Sequence, residues 1–316
     1  MSFWDRLTKK LAIDPGSERL RISDGEKIIF NQPSKISINT DLQKVTGIGL
    51  NTITIEKIIY PVNNVMQDFY AFENLLRGST TQSIVEKKWF QSSFWMYLSI
   101  PTTITEVEKR AYRDSAEHAG ASAVNMLFQS CAAAVGLNIL FKKKDFVLVD
   151  FSASKVEITI FINSLIKDGQ STTIGTWKIR KVIKNHIFRT TKEILNNEEL
   201  DTIINHLAKE TKYISFRGKQ ILKDEVIEIL EKYFYFIEDE ILELFERASS
   251  DPQIHKALAN GIFFTGGGSE IKWLVDRIAK MIKLNYVISS NPTLDNINGI
   301  TEVMNNPKKF EDYLMV

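Results

Sequence analysis

One short arrangement occurs twice in the chain, and that repetition limits the possible folds more than any other feature. Near the N-terminus, LAIDPG ends an apolar strand in a turn at Asp14, and LRISD follows as a second strand. Near the middle, FVLVDF runs to Asp150 and Phe151, a Ser-Ala-Ser-Lys turn follows, and KVEITIFI alternates apolar residues at Val156, Ile158 and Ile160. Apolar run, aspartate, tight turn and alternating run predict a β-hairpin each time. Two copies within 316 residues predict two similar α/β domains facing each other across a cleft.

The remaining pattern fills in around these hairpins. KIIF and KISIN extend the first one into a small β-meander, and DFYAFENLLRG reads as a helix. WMYLSIP is a buried strand stopped by Pro101. TITEVEKRAYRDSAEHAG is a long helix with Thr103 or Thr105 as its cap and Gly120 as its stop. AVNMLF is a strand, and SCAAAVGLNI is a helix of small residues in which Cys131 packs in the core. From Ile179 to Lys212 the pattern is helical, and KDEVIEILEKYFYFIEDEILELFERAS is a long helix with a wide apolar face. GIFFTGGGSEIKWLVDRIAKMI is strand, glycine turn and helix.

Composition narrows the function. Forty Lys and Arg balance 39 Asp and Glu, so no global field favours nucleic acid. A single cysteine excludes an intrachain disulfide and argues against a thiolate metal site, and the four histidines show no ligand spacing. No apolar run approaches the roughly 18 residues of a membrane span. Charges interrupt the N-terminus every few residues, so no secretory signal is visible and the expected compartment is the cytoplasm.

Two Asp turns and a TGGG turn are the three loops by which the actin, sugar-kinase and heat-shock chaperone superfamily holds ATP. The finer match is carried by IDPGSERLRI, FNQPSKISIN, YPVNNVMQDFYAFENLLRG, IPTTITEVEKRAYRDSAEHAGA, QSCAAAVG and GIFFTGGGSEIKWL. In that order, from about Leu11 to about Met304, they resemble MreB, the bacterial actin of cell shape. The resemblance implies an actin-like α/β fold, with duplicated ribonuclease H-like domains around a nucleotide cleft. The expected division is 1–145, with a small subdomain at about 30–75, and 146–316, with a helical subdomain at about 178–230. It also implies ATP and Mg²⁺ as cofactors, self-association into filaments, wall-synthesis and cell-shape partners, and a position on the inner face of the cytoplasmic membrane.

The site implied by the resemblance carries over unevenly. Where the family has Asp-x-Gly-Thr, Asp14, Gly16 and Ser17 fit, but Glu18 and Arg19 replace small or amide residues. A carboxylate near phosphates is unfavourable unless a cation screens it, and Arg19 can partly supply that charge. Where the family has Asp-x-Gly-Gly-Gly-Thr, Asp150 is followed by Phe151, Ser152, Ala153, Ser154 and Lys155. Any left-handed residue in that turn would then be strained, and the added Cβ atoms would crowd a phosphate. Lys155 is either a point-charge contact to phosphate or a solvated turn lysine. Asp14 and Asp150 are the expected Mg²⁺ ligands, acting through water. Gln129 stands where the family has the residue that orients the attacking water; it can orient water but cannot take a proton.

The second half departs further. Thr176, Trp177 and Arg180 replace the acids and glycine of a helix start. Asp201 and Ile204 align with a Glu and a Lys near the adenosine; Asp201 can still accept a ribose hydroxyl. Thr265, Gly266, Gly267 and Gly268 keep the glycine turn, followed by Ser269 and Lys272, although glycine there also serves packing. Three outcomes follow: weak ATP binding with little hydrolysis, no nucleotide, or an ordinary ATPase. The leading one is at most a weak ATPase.

The membrane expectation rests on two segments. Along SFWDRLTKK and the leucine after it, Phe3, Trp4, Leu7 and Leu11 share a face of a helix flanked by Arg6, Lys9 and Lys10. In KKWFQSSF, Trp89 and Phe90 beside Lys87 and Lys88 suit an interface, where MreB proteins carry an apolar loop. Two rival readings stand beside the shape-protein one. One is a non-hydrolysing scaffold that co-assembles with a standard MreB. The other is a sugar-kinase or chaperone-type ATPase, against which the full-length register argues.

Overall fold

The computed structural model describes residues 9–86 and 94–315. The chain divides into two compact units, Met1–Lys142 with Leu294–Val316, and Lys143–Thr293.

Unit one is built on strands β1 (Lys9–Pro15), β2 (Arg19–Ser23) and β3 (Ile28–Pro33), an antiparallel meander. The fourth expected strand leaves it. β4 (Ile36–Asn39) joins β5 (Lys44–Ile48) and β6 (Lys57–Ile59) in a separate three-stranded sheet. The short pair β7 (Val62–Asn63) and β8 (Val65–Met66) leads into helix α1 (Phe69–Glu86). β9 (Phe94–Ile100), helix α2 (Glu106–His118), β10 (Ala121–Phe128) and helix α3 (Gln129–Gly136) follow. β9 and β10 lie parallel to β1, giving the order β10-β9-β1-β2-β3.

Alternation along β1 assigns its two faces. Leu11 and Ile13 join Phe72, Leu75 and Leu76 of α1 and Tyr112 and Ala116 of α2 in one buried core. Asp14 points to the opposite face. α2 begins as its sequence predicts, at Thr105, with a reciprocal capping box to Glu108. It stops before Gly120, whose φ is +106°. A four-residue turn of helix, α4 (Leu140–Lys143), ends this stretch.

Unit two repeats the plan. β11 (Phe146–Phe151), β12 (Val156–Ile162) and β13 (Leu165–Thr172) form an antiparallel meander. Helices α5 (Thr176–Thr191) and α6 (Asn197–His206), the hairpin β14 (Tyr213–Phe216) and β15 (Lys219–Leu222), and helices α7 (Lys223–Ala248) and α8 (Pro252–Ala259) follow. β16 (Ile262–Thr265), helix α9 (Lys272–Ile282) and β17 (Tyr286–Ile288) complete the unit. The sheet order is β13-β12-β11-β16-β17, with β16 parallel to both β11 and β17. A meander continued by two parallel strands is therefore common to both sheets. This is the duplication that the two Asp hairpins predict, in the actin-like plan that the resemblance implies.

Three features of unit two differ from the sequence expectation. The helical stretch from Ile179 is broken at Lys192, with φ +63°, and restarts at Asn196, which forms a capping box with Glu199. Beyond His206 the chain turns into the β14–β15 hairpin, closed by Arg217 and Gly218 at φ +47° and +73°. Arg217 clips this hairpin to Glu193 at 2.9 Å and Glu199 at 2.6 Å. β13 is polar, and the positive-φ residues Asn163 and Ser164 turn the chain into it.

The expected second domain also runs too far. After Thr293 the chain returns to unit one as helix α10 (Asp295–Asn305). It packs against α3 so closely that a Cβ on Gly136 would lie 2.0 Å from the Asp295 carbonyl oxygen. One on Gly299 would lie 1.7 Å from that of Ala132. The small residues of SCAAAVG exist for this contact, and Cys131 is buried beside it.

Candidate functional site

In an open α/β sheet, ligands meet the turns beyond the C-terminal ends of parallel strands. In unit one those ends are Pro15, Ile100 and Phe128. Gly16, Pro101 and Gln129 follow them, so the parallel register gathers the first Asp turn and the expected water-orienting residue on one sheet edge. Gln129 is the first residue of α3, half-buried, after Phe128 at the cap position.

Asp14 is held on both oxygens. Arg21 stands directly opposite it across the β1–β2 hairpin, and its Nη1 lies 3.2 Å from Asp14 Oδ2. Asn296, from α10, donates Nδ2–H to Asp14 Oδ1 at 2.7 Å and to Ser99 Oγ at 3.1 Å. Asp14 is only 4% exposed. Burial pushes its carboxyl above the ordinary value, while Arg21 and Asn296 pull toward the ionised form.

The turn itself is tight. A Cβ on Gly16 would lie 2.8 Å from the Arg19 carbonyl oxygen. Ser34 Oγ donates to the Gly16 carbonyl at 2.5 Å. Arg19 is drawn aside, since its Nε and Nη2 donate to the side chain and backbone oxygens of Asn31, both at 2.6 Å. Arg19, expected to screen Glu18, is thus engaged by Asn31, and the cation beside Asp14 is Arg21. Glu18 is exposed and Ser17 half-buried.

In unit two the corresponding edge holds Asp150, at the end of β11, paired in register with Thr265 of β16. Ser152 Oγ donates to Asp150 Oδ1 at 2.6 Å. None of Ser152, Ala153, Ser154 and Lys155 has positive φ. The turn therefore does not carry the left-handed strain expected of a glycine loop rebuilt with larger residues. It closes on itself and on α5: Ser152 N–H donates to the Lys155 carbonyl, while Thr176 and Trp177 N–H donate to the carbonyls of Ser152 and Ala153 at 3.1 and 2.8 Å.

The expectation of a solvated turn lysine gives way at Lys155. Its side chain is neither solvated nor presented as a surface charge; it is buried and ion-paired with Glu157, which is equally buried. An ammonium taken out of water needs such a partner.

The glycine turn is shaped by the Asp150 turn. Gly266 has φ +80°, and a Cβ there would lie 2.1 Å from Asp150 Oδ1. A Cβ on Gly268 would lie 2.6 Å from the Phe151 ring. Gly267 has only Thr293 nearby, at 3.4 Å. Packing alone therefore requires two of the three glycines. Ser269 is buried and donates Oγ–H to the Thr265 carbonyl at 2.5 Å, and Lys272 opens α9 as an exposed residue.

Asp201 is half-exposed and engaged on one oxygen. Arg180 Nε and Nη2 reach its Oδ1 at 3.1 and 3.0 Å. Two departures from the family pattern thus compensate each other as an ion pair between α5 and α6. Ile204 is core, 1% exposed.

These contacts test the expected cofactor. A hydrated Mg²⁺ needs carboxylate oxygens open to its water shell. Asp14 Oδ1 accepts from Asn296, Oδ2 faces the Arg21 guanidinium, and Asp150 Oδ1 accepts from Ser152; with a fixed cation already beside Asp14, the donor set there does not fit a second, divalent one. No cluster of three or more His, Cys, Asp or Glu suited to a metal occurs among the described residues. Arg21, Asn296 and Glu157 escaped the sequence reading. The strict alternation of RLRIS in a hairpin opposite Asp14 was a usable signal for Arg21. Asn296, 282 positions away, had none. The expected membrane residues Phe3, Trp4, Leu7, Trp89 and Phe90 lie outside the described residues; Lys9, Lys10 and Leu11, expected on the same helix, stand instead in β1, paired with β9. No described helix is long and apolar enough to cross a membrane.

Fold and turns define an actin-like protein, two units of one sheet plan each carrying an aspartate at the end of its first strand. Comparison with known proteins narrows the class. The family model described as MreB/Mbl protein matches residues 8–312, and the chain belongs to that family. It is 23% identical over 313 residues to the cell shape-determining protein Mbl of Bacillus subtilis, covering 90% of this chain and 92% of the relative. It is 22% identical over 320 residues to the cell shape-determining protein MreB of Escherichia coli K12, covering 92% and 91%. Among solved structures, MreB5 of Spiroplasma citri bound to AMPPNP superposes with a TM-score of 0.82 at 20% identity, covering 96% of this chain and 98% of that one. A MamK double helical filament gives 0.72 at 17% identity, covering 93% and 98%.

Proposed function

We propose that the chain is a filament-forming cytoskeletal protein of bacterial cell shape, associated with the inner face of the cytoplasmic membrane, in which ATP binding is weakened and hydrolysis slight. The observation that carries the filament reading is the family match over residues 8–312. The named activity of the Mbl and MreB relatives and the filament formed by the MamK neighbour support it. Weakened nucleotide handling is supported by the closed turns: Asp14 bound by Arg21 and Asn296, Lys155 turned inward to Glu157, and the N–H donors of Ser152, Thr176 and Trp177 spent on carbonyls of the turn itself.

A second reading, a non-hydrolysing scaffold that co-assembles with a standard MreB, is favoured by the same engagement of Asp14. Sedimentation and negative-stain microscopy of the purified chain with ATP, without nucleotide and with a standard MreB separate these. Filaments formed alone and without nucleotide support the first reading. Filaments seen only with the second protein support the second. Assembly strictly dependent on ATP contradicts weakened nucleotide handling.

The membrane part rests on the apolar residues Phe3, Trp4, Leu7, Trp89 and Phe90 and on the basic residues Arg6, Lys87 and Lys88 beside them. A few partly buried side chains bind weakly one at a time and by avidity in a filament. Co-sedimentation with anionic liposomes should fall in a Phe3→Ala/Trp4→Ala chain and at high salt. Full pelleting of that variant and of Trp89→Ala contradicts the two-anchor reading.

A further inference from the structure

The first Asp turn carries its own cation. Asp14 and Arg21 are direct cross-strand partners, a register that places their side chains on one face of the hairpin. The guanidinium reaches Asp14 Oδ2 at 3.2 Å, and Asn296 covers Oδ1 at 2.7 Å. The Arg21 side chain is 13% exposed and that of Asp14 5%, so the pair lies largely out of solvent. Neither partner is spent elsewhere in a way that would explain its placement. Arg21 Nε and Asn296 Oδ1 are both buried with no hydrogen-bond partner. The nearby Arg19 is held by Asn31, which leaves Arg21 as the positive charge on Asp14.

We propose that the Arg21 guanidinium takes the place beside Asp14 that a hydrated divalent cation would otherwise fill, so that this turn works without metal. The proposal rests on reading the Asp14 turn as the phosphate-facing turn of unit one. The physical case is one of charge and access. A buried carboxylate requires a compensating cation, and either Mg²⁺ with its water shell or a fixed guanidinium can meet that need. The guanidinium is tethered to the same hairpin and needs no water shell, so it is always present. Replacing it with an apolar residue would leave Asp14 buried and uncompensated, and would reopen one of its oxygens to solvent and metal.

The test uses thermal melting of the full chain in EDTA and in millimolar Mg²⁺ or Mn²⁺, without nucleotide, so its outcome is separate from filament assembly and ATP binding. The parent melting temperature should stay within about 1 °C across these conditions, since a ligand stabilises only what it binds. Arg21→Leu should melt lower in EDTA and recover most of the loss when metal is added. Arg21→Leu/Asp14→Asn should show no recovery. Arg21→Gln, closer in length and polarity, serves if the leucine variant does not fold. A parent response to metal that Asp14→Asn abolishes would overturn the proposal. So would an Arg21 variant that metal cannot restore.

Discussion

Lys155 and Glu157 form an ion pair two residues apart at the base of the second hairpin, with both side chains withdrawn from solvent. Residues i and i+2 of an extended segment share a face, so the lysine that ends the Ser-Ala-Ser-Lys turn is directed along β12. Removing one member leaves a buried charge without its partner, which typically costs about 3–5 kcal/mol, whereas replacing both by apolar residues is often close to neutral. Lys155→Met and Glu157→Leu should each lower the denaturation midpoint strongly. The double variant should recover most of the loss. Additive losses would show that the pair is not the reason for the burial.

The turn's own conformation sets a second expectation. Ser152, Ala153 and Ser154 sit at negative φ, where glycine gains nothing and adds unfolded-state entropy, about 0.4–1 kcal/mol per site. The triple-Gly chain should melt below the parent. Restoring glycines should also leave the thermal response to ATP–Mg²⁺ unchanged, because Lys155 and the amides of Thr176 and Trp177 still close the turn. A gain in ATP response would show that the three Cβ atoms were the obstacle.

In the TGGG turn, architecture and binding can be told apart by position. Gly266→Ala forces a side chain at φ +80° into Asp150, and Gly268→Ala forces one into the Phe151 ring. Each should destabilise unit two by roughly 1–3 kcal/mol or more. Gly267→Ala meets only Thr293 at ordinary contact distance and should fall within about 0.5–1 kcal/mol of the parent. Equal losses at all three sites in urea melts would contradict this ranking.

A pH dependence follows from Asp145. Its carboxyl lies below the ordinary carboxylate range because the Asn163 N–H donates to it at 2.8 Å and Lys256 binds it at 2.5 Å. A depressed folded pKa contributes stability that is fully present above the unfolded value, about 4. That stability is lost as pH falls through the folded value. Asp145→Asn should therefore lower stability at neutral pH and flatten the acid limb of the stability profile below about pH 4. An acid limb identical to the parent's would contradict the assignment.

The sheet plan was legible because it depends on period-two alternation and on aspartates at strand ends, both local features. The Thr105 cap was legible for the same reason. β13 was missed because it is a polar edge strand, and the β14–β15 hairpin because its short strands sit between strong helical patterns, although Arg217-Gly218 is a recognisable two-residue turn. The return of α10 to unit one was not legible at all: the Gly136 and Gly299 contacts that fix it lie far apart in sequence. The candidate site was legible as a list of positions, but not as a set of contacts. The side chains that engage Asp14, Asp150 and Asp201, namely Arg21, Asn296, Ser152 and Arg180, come from register and helix packing. The same packing converts Lys155 from a candidate ligand into a buried counter-ion.

Engaged turns must be opened before they can take a phosphate chain, so calorimetric titration of the full chain with ATP and Mg²⁺ reads their closure as lost affinity. The expected result is a dissociation constant well above micromolar, or no heat of binding, together with negligible phosphate release. A micromolar or tighter constant with steady release of phosphate would contradict it.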